Sequence, residues 1–128
     1  MNIEELREYC ISIKGATESF PFDESTLVFK VMGKMFAYTG LEPKDGRFNV
    51  NLKCDPEKSS ELREKYEGVK HGTHTHGLLW NSVYLVSDVP DSLIKELIEH
   101  SVEEVIKKLP KKKQEEYRKL SLKENDEV

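Results

Sequence analysis

The sequence has only two cysteines, Cys10 and Cys54, and they form neither a Cys-x-x-Cys pair nor a Cys/His spacing suited to a metal. One falls in a helix-like segment and the other at a strand end, so two buried, reduced thiols are expected rather than a disulfide. No apolar run approaches the ~18 residues of a membrane span. The opening residues Met1-Asn2-Ile3-Glu4-Glu5 are acidic and lack an apolar stretch, so no signal peptide is read and a cytoplasmic location is expected. Also missing are a P-loop, a GxGxxG turn and a nucleophile elbow. Asp23 and Glu24 beside Ser25 read as a solvated loop. The expectation is a protein that is not an enzyme and carries no cofactor. Positive charge is not in excess either: 20 basic side chains face 24 acidic ones, a net charge of −4. That disfavours polyanion binding over the whole surface, because such affinity comes from neutralising phosphates. It leaves room for a local basic face.

What is present is a periodic pattern of apolar residues in a 128-residue chain, enough for one core without staples. Ile3, Leu6, Cys10 and Ile13 mark one face of a first helix, with Asn2 and Glu5 as a capping-box pair and Gly15 as its stop. Thr26 to Val31 and Met35 to Leu41 read as strands joined by a tight Met32-Gly33 turn. Pro43-Lys44-Asp45-Gly46 is a second turn. Phe48, Val50 and Leu52 then alternate with polar residues, completing a three-stranded antiparallel meander. Asp55-Pro56-Glu57 opens a second helix that carries Leu62 and Tyr66 and ends at Gly68. Trp80 to Val86 forms another strand. After Pro90 the longest helix carries a wide apolar stripe from Leu93 to Leu109. Gln114 to Leu120 is a short last helix. The fold expected is α+β, with helices packed on one face of an antiparallel sheet. Residues 1–120 are read as one domain and 121–128 as a polar, flexible tail.

Four features invite a functional reading. His71, His74 and His76 precede the fourth strand, and a His-x-His pair can chelate a metal. No carboxylate or cysteine lies within the segment, so imidazole hydrogen bonds in a loop are expected instead, with no metal site. Glu4, Glu5 and Glu8 make an acidic ridge, the helix N-terminal dipole being reason enough for their placement. Lys30 and Lys34 flank the Met32-Gly33 turn, where a hairpin tip can lie against a phosphate backbone, and Lys53 and Lys70 can add to that surface. Lys107, Lys108, Lys111, Lys112 and Lys113 cluster around Pro110. They read as cations opposing a helix C-terminal dipole.

Three segments together resemble the MmcQ/YjbR family of small bacterial proteins. These are Leu27 to Ala37, Asn51 to Pro56, and Leu62-Arg63-Glu64 with Tyr66. His74, Trp80-Asn81-Ser82-Val83 and Asp91 to Ser101 fit the same pattern, so the resemblance spans Ile3 to Leu109. It implies a CyaY-like (YjbR-like) α+β architecture and a DNA-binding role through a double wing of hairpins. Where the family pattern carries a basic triplet before the tryptophan, this chain has Gly77-Leu78-Leu79. The function expected is therefore a non-enzymatic DNA-binding protein that contacts duplex phosphates through Lys30, Lys34, Lys53 and Lys70. The alternatives are a protein-interaction domain for an unidentified protein, using the acidic helix or the Leu78-Leu79-Trp80 run, and a frataxin-like metal-binding protein. No membrane partner is expected.

Overall fold

Asn2 starts the first helix as its spacing with Glu5 requires. The Asn2 side chain accepts from the Glu5 N–H at 2.8 Å, and the Glu5 carboxylate accepts from the Asn2 N–H at 3.0 Å. The structure is a computed structural model describing residues 1–43, 46–72 and 79–120. Helix α1 (Ile3–Ser12) leads into strands β1 (Thr17–Ser19), β2 (Thr26–Val31), β3 (Lys34–Gly40) and β4 (Asn49–Lys53). Then come α2 (Pro56–Lys65), β5 (Val69–His71), β6 (Trp80–Tyr84), α3 (Asp91–Lys107) and α4 (Lys111–Lys119). The strands form one antiparallel sheet in the order β1-β2-β3-β4-β6-β5.

Strand alternation divides the apolar residues between two faces. Phe29, Phe36, Val50, Leu52 and Val83 share a core with Leu6 and Cys10 of α1, Leu62 of α2 and Ile94, Ile98, Val102 and Val105 of α3. All three helices therefore cover the same face, as expected. On the opposite face Val28, Tyr38 and Trp80 form a smaller cluster, with Met35 and Leu79 against it. Both cysteines are buried and reduced. Helix α4 buries no residue of its own. It is tied down by Tyr117, whose hydroxyl donates to the Lys14 carbonyl at 2.8 Å. Gly15 permits that approach: its φ is +74°, and a Cβ there would sit 2.9 Å from Leu120 Cδ1. Among the described residues no helix is long and apolar enough to cross a membrane.

The sheet differs from the sequence reading in its edges. Strands β1 and β5 were not anticipated, because three residues without apolar alternation carry no periodic signal; pairing with β2 and β6 creates them. Helix α2 ends at Lys65, not Gly68, because Tyr66 turns extended (φ −120°, ψ 128°) to pack on the core. Helix α1 stops at Ser12, before Gly15, and β6 stops at Tyr84. Helix α4 begins at Lys111, directly after Pro110, instead of at Gln114.

Besides its apolar packing, helix α3 is tied to the sheet backbone by the hydroxyl of Ser101. The β3–β4 ladder runs through Tyr38↔Asn51 and Ala37↔Leu52. One step further, Ser101 Oγ accepts from the Lys53 N–H at 2.9 Å and donates to the Phe36 carbonyl at 2.5 Å. The side chain of Ser101 is fully buried and stands where direct strand pairing would otherwise continue. Next to it, His100 Nε2 accepts from the Asp55 N–H at 3.2 Å, tying α3 to the start of α2.

Two outcomes follow from these contacts. Ser101→Ala leaves a buried carbonyl and a part-buried N–H without this partner and is expected to cost about 1–3 kcal/mol. Urea unfolding checks this, and a loss below about 0.5 kcal/mol contradicts the bridge. Burial, and then the positive charge of Lys58, hold the His100 imidazole below its ordinary value, against the opposing pull of Glu104, Glu103 and Asp55. The unfolded chain therefore takes up this proton first as the pH falls. Stability from this source is complete above about pH 6.5 and is lost as the pH drops from there to the lowered folded value. His100→Gln should flatten that part of the stability-versus-pH curve, and an unchanged curve would rule out the contribution.

Candidate nucleic-acid interface

The Met32-Gly33 turn sets where the hairpin lysines go. Both residues have positive φ, 51° and 77°, as a two-residue type I′ hairpin requires. Lys34 then lies opposite Val31, and Lys30 opposite Met35. Val31 belongs to the helix-covered core and Met35 packs with the opposite-face cluster. The two lysines therefore leave the hairpin on different faces of the sheet. Lys34 turns toward the end of α3, and Lys30 lies on the face away from the helices.

At the rim of the sheet, Lys34, Met35, Lys53, Val105, Lys108 and Leu109 enclose a cleft of about 270 Å³. Its apolar lining is Val105 and Leu109, both buried, with half-buried Met35 reaching its edge from the opposite-face cluster. Three lysines line it, and among the described residues no acidic side chain does. Lys107 stands beside it, paired with Glu104 at 2.5 Å, and that carboxylate in turn holds the Lys107 ammonium above its ordinary value. Lys53 is half-buried. Burial lowers its ammonium pKa, the Lys108 charge lowers it further, Glu104 opposes, and Lys107 adds a smaller downward push. Cations held this close raise each other's cost of ionisation, and an incoming anion relieves it.

Of the four lysines read from the sequence, the structure thus brings Lys34 and Lys53 together. Lys30 lies on the neighbouring strand but on the other face. Lys70 is on edge strand β5, two strand spacings (about 10 Å) from the β4 of Lys53 and three (about 14 Å) from the β3 of Lys34. There its charge acts on the Asp88 carboxylate. The sequence pattern marks Lys107 and Lys108 only as helix-terminal cations. The signal for them was Leu109, whose place at the end of the apolar stripe obliges the last turn of α3 to meet the sheet. Which strand it meets depends on packing across the whole fold.

The other candidates fare differently. Trp80 is buried and Leu79 half-buried, so they offer no exposed apolar patch; Leu78 lies outside the described residues. Large exposed apolar side chains occur instead at Phe20 and Phe22 in the loop before β2. Glu5 is engaged in the α1 cap. Among the described residues no group of three or more His, Cys, Asp or Glu could hold a metal ion, while His74 and His76 lie outside them.

The family model named YjbR matches residues 11–103. The chain is also 33% identical over 113 residues to the uncharacterized Escherichia coli protein YjbR, covering 88% of this chain and 94% of that protein. The chain belongs to the YjbR family. A second Escherichia coli relative, the uncharacterized protein YbdF, is 34% identical over 99 residues, covering 77% of this chain and 80% of that one. Among solved structures, a Deinococcus radiodurans protein with a DUF419 domain superposes with a TM-score of 0.81 at 35% identity, covering 91% of this chain and 87% of that one. A Pseudomonas syringae protein shares the fold at 23% identity, with a TM-score of 0.68 and coverage of 79% and 96%. Lys34 and Lys53 fall inside the segment that the YjbR model matches, whereas Lys107 and Lys108 lie just past its end. The cleft of this YjbR-family chain is thus built partly from the matched segment and partly from residues beyond it.

If the lysines converge as described, Lys108→Ala should raise the Lys53 ammonium toward the ordinary lysine value of about 10.4. An Nζ-detected NMR titration reads this directly, and no change in Lys53 contradicts the convergence.

Proposed function

We propose that this YjbR-family protein is a non-enzymatic module that binds duplex DNA through its phosphate backbone. Its contact is the sheet corner formed by Lys34, Lys53, Lys107 and Lys108. The observation that carries the reading is the meeting of three lysines around one cleft with no acid in its lining among the described residues. In a chain of net charge −4, cations gathered at one corner give an anion a place to approach that the average surface does not. Lysines supply charge and reach without base selectivity, so the mode expected is positional and not sequence-reading. Lys30 can meet a second phosphate from the other side of the hairpin. Lys70, beside Asp88 on the far edge, takes no part.

Three net positive charges imply release of about three counterions, hence a log K against log salt slope of about −2.7 and a Kd of about 10⁻⁴–10⁻⁶ M at moderate salt. Fluorescence anisotropy with a labelled duplex across a salt series tests this. Lys34→Ala with Lys53→Ala should weaken binding and flatten the slope by about 0.9 for each lysine removed, while Lys70→Ala leaves both unchanged. Absence of binding at low salt, or a double variant that binds like the parent, overturns the reading.

A further inference from the structure

A phosphodiester backbone lying across a protein needs only surface cations. The corner at Lys34 and Lys53 offers more than that: a concave site lined by apolar Met35, Val105 and Leu109 together with three lysines. We propose that this cleft is a seat for a nucleoside monophosphate, the lysines taking the phosphate and the apolar lining taking the sugar and base.

Charge favours a monoester over a diester. A monoester carries about −1.5 to −2 at pH 7, a backbone phosphate −1. Lys34, Lys53 and Lys108 provide three cations at the cleft, while Lys107 is already balanced by Glu104. A dianion therefore neutralises the cluster more completely than one backbone phosphate does. Size favours a small ligand. At about 270 Å³ the cleft falls just under the range of roughly 300–1,000 Å³ that encloses drug-sized molecules. It holds a phosphate and part of one nucleoside and has no room for a lipid chain. Composition points the same way. Inorganic phosphate would gain nothing from Met35, Val105 and Leu109, and an unphosphorylated nucleoside would gain nothing from the lysines. The half-buried Lys53 stands between the two kinds of surface and contacts both parts of the ligand.

This inference rests on the reading of the corner as a phosphate site. The monoester has two sources, a free mononucleotide or the 5′-phosphorylated end of a strand. The test is an NMR titration of the full chain with thymidine 5′-monophosphate, thymidine and inorganic phosphate, followed by one duplex with and without 5′-phosphates. The expected result is at least tenfold tighter binding of the monophosphate than of either fragment, with shifts in the methyl signals of Met35, Val105 and Leu109. Lys108→Ala should weaken it about tenfold and Lys70→Ala should not. Equal binding of monophosphate and inorganic phosphate, or silent methyl groups, overturns the proposal. A preference for the phosphorylated duplex identifies a strand end as the ligand; equal duplex binding identifies the free nucleotide. Duplex binding that needs Lys34 and Lys53, without any monophosphate binding, refutes this inference alone. Monophosphate binding without duplex binding refutes the DNA reading and leaves the cleft assigned.

Discussion

The Ser101 hydroxyl is the contact on which the arrangement depends. It replaces a direct hydrogen bond between β3 and β4 with a two-way bridge, satisfying the Phe36 carbonyl and the Lys53 N–H together. Burial makes the bridge matter most for the Phe36 carbonyl, which cannot turn to water, while the Lys53 N–H is part-buried. Its position fixes the rest of the corner. Val105 lies one helical turn beyond Ser101 on the same side of α3, and Lys108 and Leu109 follow at the helix end. Lys53 is held by its own backbone at the bridge, and Lys34 lies two residues before Phe36. A single polar contact thus sets the end of a helix, the end of a strand and the base of a hairpin around one cleft.

The electrostatic consequence is local. Acidic residues outnumber basic ones over the chain, but charges farther apart than about 8–10 Å are largely screened at physiological salt. An anion at the corner responds mainly to Lys34, Lys53, Lys107, Lys108 and Glu104. Lys70 lies about 14 Å, three strand spacings, from the strand of Lys34 and sits in a field shared with Asp88. The same reasoning keeps the acidic start of α1 out of the account. Glu5 serves the helix cap, and the Met1 ammonium is bound to Asp91 at 2.9 Å.

Much of the fold was legible because local chemistry specified it. The Asn2/Glu5 box, the positive-φ Met32-Gly33 turn, and Asp55 capping a helix that opens with Pro56 are all decided by residues a few positions apart. The long stripe of α3 was legible from its period. The three-residue strands β1 and β5 were not, since Thr17-Glu18-Ser19 and Val69-Lys70-His71 become strands only through partners distant in sequence. The candidate site divides in the same way. Lys34 and Lys53 were visible as lysines at a turn and a strand end. The separation of Lys34 from Lys30 follows from strand parity, that of both cleft lysines from Lys70 follows from sheet order, and the arrival of Lys108 follows from helix packing. Nothing in the local sequence reports any of these. The Leu78-Leu79-Trp80 run could serve a partner only if exposed, whereas Trp80 is buried and packs tilted against Tyr38 at a ring-centroid distance of 5.6 Å.

The central claim is that one corner, and not the sum of surface lysines, meets the nucleic acid. Nζ-detected NMR of the lysine side chains during titration with duplex DNA tests it most directly. The account predicts that Lys34, Lys53, Lys107 and Lys108 shift together at the lowest DNA ratios while Lys14, Lys65, Lys70 and Lys95 stay in place. Shifts spread evenly over all lysines, or centred on Lys111, Lys112 and Lys113 of α4, would contradict it.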